Sequence, residues 1–129
     1  ESSPEHDAIL LLGNVADPAK LYSAMDCFVF PSIHEGLGIV LVEAQLSGLL
    51  CVVSDEIPRS AAVSDGFHAL ALQSGANVWA EEISALLAEP RKRIAGELDD
   101  PRAKAFDINN SYRILEFAYQ KALVVRGRK

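Results

Sequence analysis

Residues 27–54 read CFVFPSIHEGLGIVLVEAQLSGLLCVVS, and this stretch decides the fold. It contains two short apolar runs, Cys27–Phe30 and Leu50–Ser54, whose length and composition are typical of strands buried on both faces. Between them, a glycine-containing turn leads into an apolar helix predicted over Ile39–Ser47, and Gly48 suits the C-terminus of that helix. A strand, a helix and a second strand in this order predict a parallel strand pair.

The same alternation of strand and helix continues on both sides of this stretch. The further predicted elements are a buried strand at Ala8–Leu12, a helix from Asp17 to Asp26, a strand at Ala69–Leu72, a helix at Asn77–Leu87, short surface helices within 89–107 and a C-terminal helix at 108–125. The predicted class is therefore α/β, a Rossmann-like parallel sheet with helices on both faces. Ligands of such sheets bind at the carboxyl ends of the strands.

Size and composition indicate one domain, residues 1–129, with a single core, because 129 residues of which 50% are apolar are too few for two cores. The formal net charge of −6 is spread along the chain, so no affinity for nucleic acid is expected. Cys27 and Cys51 lie in apolar runs and are interpreted as reduced thiols, which favours a cytoplasmic setting. No Cys and His spacing fits a metal site, and we expect no metal cofactor.

Membrane and partner contacts are predicted from the chain ends. Neither a membrane-spanning helix nor a signal peptide is expected from the sequence. The basic residues Arg126, Arg128 and Lys129 allow at most a peripheral contact with the inner membrane face. On the C-terminal helix, an apolar line is expected to pack against the domain or against a partner domain; its members are Tyr112, Leu115, Tyr119 and Leu123.

The turn between the first strand and the apolar helix has the properties of an anion site. Helix N-termini present unpaired backbone N–H groups and the positive end of the helix dipole, and Gly36 and Gly38 let a phosphate approach the main chain. Glu35 sits at this turn and Glu43 lies about one turn into the helix. Carboxylates repel phosphate but accept hydrogen bonds from sugar hydroxyls, so the combination suits a diphosphate that carries a sugar at each end, as a nucleotide-sugar does.

The segment P-S-x-x-E-G-L-G-x-x-L-x-E-A, with seven residues between its two glutamates, resembles the E-x7-E signature of retaining GT-B glycosyltransferases, particularly family 4. The resemblance runs from about Leu12 to Leu87. It includes Gly13-Asn14-Val15 before the first helix and Cys51-Val52-Val53-Ser54-Asp55 after the signature. It implies that the chain is most of the C-terminal, donor-binding half of a GT-B fold.

The resemblance also implies a role for each matching residue. Glu35 is the candidate catalytic residue and binds hydroxyls of the transferred sugar; we interpret it as positioning the donor and not as a base. Glu43 holds the ribose hydroxyls, and Gly36, Leu37, Gly38 and Ile39 offer backbone N–H groups to the diphosphate. Asn14 and Val15 match the loop that touches the nucleotide. Ser32, which follows the first strand, is a further candidate for a hydrogen bond to the donor.

The implied reaction transfers a sugar from a nucleotide-diphosphate donor, with retention of configuration, to an acceptor held by an N-terminal domain. The expected context is polysaccharide or cell-envelope glycan synthesis. The family has an Arg and a Lys on the diphosphate in a region that would precede Glu1, and no Lys or Arg occurs here before Lys20. The chain by itself is therefore expected to bind donor weakly and to be inactive.

Two other hypotheses fit the same sequence. A nucleotide-sugar epimerase of the same architecture would keep the fold and change the reaction. A non-catalytic α/β interaction module would keep the fold and lose the activity. Binding of a nucleotide diphosphate, and its dependence on Glu35 and Glu43, distinguishes these hypotheses.

Overall fold

The computed structural model describes residues 8–89 and 100–126, with side chains as far as residue 121. Short 3₁₀ turns occur at Arg59–Ala61 and Leu72–Ser74. The helices and strands are α1 (Pro18–Ala24), β1 (Cys27–Phe30), α2 (Ile39–Leu46), β2 (Leu50–Ser54), β3 (Phe67–Leu70), α3 (Ala76–Ala88), α4 (Pro101–Lys104) and α5 (Ile108–Arg126).

The three strands form a parallel sheet in the order β1-β2-β3. Cys51 on the central strand is the register partner of Phe28 on one side and of Phe67 on the other. All five residues of β2 are buried, as the continuous apolar run predicts for a strand covered on both faces. The predicted α/β class with a parallel sheet is confirmed.

Helices cover both faces of this sheet. On one face α1 and α2 pack through Tyr22, Leu41 and Ala44 onto the inward side chains of Cys51 and Val53. On the other face Trp79 of α3 packs onto Leu50 and Val52, which point the opposite way because successive strand residues alternate. The central strand therefore belongs to two apolar clusters, and the prediction of helices on both faces is confirmed.

Gln45 of α2 ties this helix to the connection between β2 and β3. The side chain is fully buried, and its Nε2 donates to the Ala61 carbonyl at 2.7 Å and to Leu41 O at 3.1 Å. Its Oε1 accepts from the backbone N–H groups of Val63 at 2.9 Å and Ser64 at 3.1 Å. A single amide side chain thus provides hydrogen-bond partners for backbone groups of the connection between β2 and β3.

The predicted buried strand at Ala8–Leu12 is wrong. Residues 9–12 form no strand, and their side chains are exposed, Leu10 at 78% and Leu11 at 90%. A strand exists only when a neighbour accepts its hydrogen bonds, and within the described residues β1 pairs with β2 alone. The apolar run consequently lies on the surface.

Two other predictions need correction. The strand predicted at Ala69–Leu72 lies two residues earlier, at Phe67–Leu70, because its register is set by pairing with β2. Of the two packings predicted for the apolar line on α5, packing against the domain is wrong, since Tyr112, Leu115 and Tyr119 are each more than half exposed. Packing against a partner domain stays a prediction. Leu123 lies in the helix but outside the described side chains.

The remaining predicted helices agree with the structure to within a few residues. The apolar helix of the central stretch is α2, with Ser47 at its C-cap and Gly48 following at a φ of 78°. Of the surface helices predicted within 89–107, α4 is present, and residues 90–99 lie outside the described residues. Arg128 and Lys129, part of the predicted membrane contact, also lie outside them.

Candidate functional site

The candidate site begins at the carboxyl ends of β1 and β2. The buried Ser54 hydroxyl, at the end of β2, donates to the Ser32 carbonyl two residues beyond the end of β1. The Ser32 hydroxyl lies 3.2 Å from Glu35 Oε1 and 3.3 Å from the His34 carbonyl, which share its single proton. A chain of hydroxyl contacts therefore links the central strand to the Glu35 carboxylate.

The N-terminus of α2 follows this turn. Gly38 is the N-cap residue and has a φ of 64°, a left-handed conformation that favours glycine. A Cβ at this position would lie 3.7 Å from Phe30 Cε1, so backbone conformation and not space makes glycine the suitable residue. No side chain caps the helix, and Gly36, Leu37 and Ile39 are exposed. The first N–H groups and the positive end of the dipole are accessible to an anion.

Glu43 lies one turn into α2. A helix that is apolar nearly all round is expected to be buried on all sides. The structure differs, because Ile39, Val40 and Glu43 are exposed while Leu41 and Ala44 are buried. Tyr22 of α1 donates its hydroxyl proton to Glu43 Oε2 at 3.1 Å. The Glu43 carboxylate is therefore accessible to a ligand and anchored on one oxygen, which answers why a charge is tolerated on this helix.

Tyr22 makes a testable contribution to stability at alkaline pH. Burial, followed by the hydrogen bond and charge of Glu43, raises the pKa of the Tyr22 phenol above its ordinary value of 10.0. A group whose pKa is raised on folding stabilises the native state below its unfolded pKa and loses that effect as pH rises. We expect the free energy of unfolding to decline above about pH 10, and Tyr22→Phe to reduce that decline. Urea unfolding at a series of pH values measures both, and equal declines in the two proteins would contradict the assignment.

Asn14, Val15 and His34 lie at or near the surface of the molecule. Asn14 is exposed and Val15 half-buried in the connection before α1, and their contact with a nucleotide stays a prediction. His34 is exposed in the turn. The roles assigned to Glu35, Glu43, Ser32 and residues 36–39 also stay predictions.

Sequence reasoning missed three residues that organise the site: Tyr22, Gln45 and Ser54. Each acts through a contact with a residue 16 or more positions away along the chain. The available signal was weak in each case. Gln45 was the uncharged polar residue of Ile39–Leu46, Ser54 ended an apolar strand, and Tyr22 lay beside Leu21 in the helix before β1.

The described residues contain neither a cluster of metal ligands nor a helix that could cross a membrane. In ranges 8–89 and 100–126, no three His, Cys, Asp or Glu side chains are grouped closely enough to hold a metal ion. No helix in those ranges is both long and apolar enough to span a bilayer.

Comparison with known proteins identifies the family. The family described as glycosyl transferases group 1 matches residues 2–89. EpsF of Bacillus subtilis strain 168, named as a glycosyltransferase, is 41% identical over 86 residues, which are 66% of this chain and 22% of that protein. The D-inositol 3-phosphate glycosyltransferases of Mycobacterium bovis (strain BCG Pasteur 1173P2) and Mycobacterium tuberculosis (strain H37Ra) are each 35% identical over 112 residues, 83% of this chain and 23% of theirs.

The match covers a small part of each relative. The chain spans less than a quarter of the length of the relatives it matches. No solved structure matches it significantly. The family match covers both glutamates, the glycine turn and all three strands. By this match the chain belongs to the group 1 glycosyltransferases.

Proposed function

We propose that this chain is the donor-binding part of a retaining glycosyltransferase and that it binds a nucleotide-diphosphate sugar at the turn between β1 and α2. The observation that carries the proposal is the pair of glutamates around an uncapped, glycine-started helix, each held by one hydroxyl. Ser32 holds Glu35 and Tyr22 holds Glu43. Membership of a glycosyltransferase family supplies the reaction class.

The proposed arrangement divides the donor into three parts. The diphosphate lies at the N-terminus of α2, where Gly36, Leu37, Gly38 and Ile39 offer backbone N–H groups. Glu35, at the turn, accepts hydrogen bonds from the transferred sugar, and Glu43, one turn further along the helix, accepts them from the ribose. Asn14 and Val15 contact the nucleotide from the connection before α1, and Ser32 contributes to the sugar side.

Charge favours this division. A carboxylate and a phosphate repel each other, whereas a carboxylate that faces vicinal hydroxyls accepts charge-assisted hydrogen bonds, which are stronger than neutral ones. The helix dipole and backbone N–H groups, placed where the leaving diphosphate develops charge, provide stabilisation that requires no metal. We propose Glu35 as the residue closest to the chemistry, acting by positioning the donor sugar.

The remainder of the enzyme is proposed from the family and from the length of its relatives. The acceptor is held by an N-terminal domain of the same protein, together with the basic residues that complete the diphosphate site. The proposed product is a polysaccharide or cell-envelope glycan. The proposed setting is the cytoplasm, with peripheral contact to the inner membrane face.

Calorimetric titration tests the donor site. We expect saturable binding of one among UDP, GDP and ADP and of its sugar derivative, with the diphosphate binding at least about 10-fold more tightly than the nucleoside because the helix N-terminus acts on the phosphates. A chelator is expected to leave that affinity unchanged. The same titration on a version extended upstream is expected to show tighter binding, since basic residues are added to the diphosphate site.

Absence of saturable binding in both versions would contradict the donor-site proposal and favour the interaction module. Binding that collapses when the chelator is added would contradict the metal-free diphosphate site. Interconversion of two nucleotide-sugars by the extended protein, without an acceptor, would instead establish the epimerase. These three results are separable because each has its own readout.

A further inference from the structure

The contact between Tyr22 and Glu43 joins two helices that are separate in sequence. Tyr22 belongs to α1 and Glu43 to α2, 21 residues later. Tyr22 is only 6% exposed, and its ring meets Phe28 edge-on at 6.0 Å between centroids and an interplanar angle of 86°. The ring is therefore fixed within the apolar cluster on one face of the sheet, and its hydroxyl reaches out of that cluster to the carboxylate.

The two partners differ in freedom. A tyrosine ring has two side-chain torsions and is here locked by core packing, whereas an exposed glutamate has three torsions and many accessible rotamers. A hydrogen bond from a fixed donor to a mobile carboxylate restricts the carboxylate. Glu43 is thereby held at Oε2, while the side chain as a whole stays exposed on the first turns of α2.

A carboxylate held in this way can still accept further hydrogen bonds. An ionised carboxylate has about four lone-pair positions, of which the phenol uses one. Two vicinal hydroxyls can be accepted together only when the carboxylate plane has a defined orientation, so fixing that plane before the ligand arrives reduces the ordering cost of binding.

We propose that Tyr22 is a positioning residue for nucleotide binding: through Glu43 Oε2 it orients the carboxylate that accepts the ribose hydroxyls. This inference rests on the proposed donor site. It assigns to a core residue of α1 a function beyond packing. The ring contributes to the core, and the hydroxyl contributes to recognition.

The test is Tyr22→Phe, which keeps the ring and removes the hydroxyl. Affinity for the nucleoside diphosphate that the wild-type chain binds is expected to fall about 3- to 10-fold by calorimetry, the value of one hydrogen bond. Affinity for the 2′,3′-dideoxy form of the same nucleotide is expected to stay unchanged, since that form lacks the ribose hydroxyls that donate hydrogen bonds to Glu43. If Tyr22 had only a structural role, its substitution would change the affinities for the two ligands equally.

Two controls make the result specific. Tyr112→Phe, on the exposed surface of α5, makes the same chemical change away from the site and is expected to leave both affinities unchanged. In a Glu43→Ala background, Tyr22→Phe is expected to add no further loss, because its effect passes through that carboxylate. An additional loss there would overturn the positioning role.

Failure of this inference is distinguishable from failure of the donor site. Suppose that the wild type binds the nucleotide, and that Tyr22→Phe lowers the affinities for ribonucleotide and dideoxynucleotide equally or lowers neither. The positioning role is then overturned, and the donor site stands. If the wild type binds no nucleotide, the donor site and the role built on it both fall. The contact itself is tested without ligand, since Glu43→Gln is expected to lower the pKa of the Tyr22 phenol in a spectroscopic titration.

Discussion

Replacement of Gln45 by methionine is expected to lower the free energy of unfolding by about 3 to 5 kcal/mol. Methionine has nearly the same length and fills the same space, so packing is largely conserved. It makes no hydrogen bonds, and the Ala61 carbonyl and the N–H groups of Val63 and Ser64 would lose the side-chain partner that they have inside the protein. Leaving a buried polar group unpaired costs about 1 to 3 kcal/mol, which makes the combined loss large.

Chemical denaturation followed by circular dichroism measures this loss. Gln120→Met on α5 is the matched control, because Gln120 is exposed and its replacement is expected to change stability by less than about 0.5 kcal/mol. A midpoint of Gln45→Met that coincides with the control would show that the connection between β2 and β3 does not depend on this amide.

Separate alanine substitutions of the two glutamates are expected to produce different ligand profiles. Glu43→Ala should weaken binding of the nucleoside diphosphate and of its sugar derivative alike, by about 10- to 100-fold, since both ligands contain the ribose. Glu35→Ala should weaken binding of the nucleotide-sugar only, by a similar factor. The affinity of this variant for the diphosphate should be unchanged or slightly higher, because a negative charge beside the phosphates has been removed.

Calorimetry with the diphosphate and the nucleotide-sugar gives the four affinities that this comparison needs. Glu81→Ala, an exposed glutamate on α3, is the control for the change in net charge. An equal loss of affinity for both ligands in both variants would contradict the assignment of one glutamate to each end of the donor. Reversed profiles would place the ribose at Glu35 and the sugar at Glu43.

The sequence predicted the central stretch well because its signals are local. The strands at Cys27–Phe30 and Leu50–Ser54 have the observed bounds, and α2 ends one residue earlier than predicted. Apolar runs, the glycine turn and Gly48 specify these elements without reference to distant residues. The glutamate pair and the glycine turn, as candidates, came from the same stretch.

The errors arose where distant partners decide the structure. The run at Ala8–Leu12 has the composition of a buried strand, but no described strand pairs with it. The position of β3 depends on its register with β2, and composition alone does not show that register. Tyr22 and Gln45 gained their roles from contacts across 16 to 21 residues, which their local sequence did not indicate.

The hydroxyl of Ser54 has a consequence for the order of folding. It fixes the Ser32 carbonyl only once β1 and β2 lie side by side, and that parallel pairing closes a crossover that contains the whole of α2. Closing such a loop costs chain entropy before the pairing offsets it, so contacts of this kind form late. We therefore expect the turn that carries Glu35 to acquire its final geometry only after β1 and β2 pair, and a peptide limited to β1, the turn and α2 to lack the Ser54 contact.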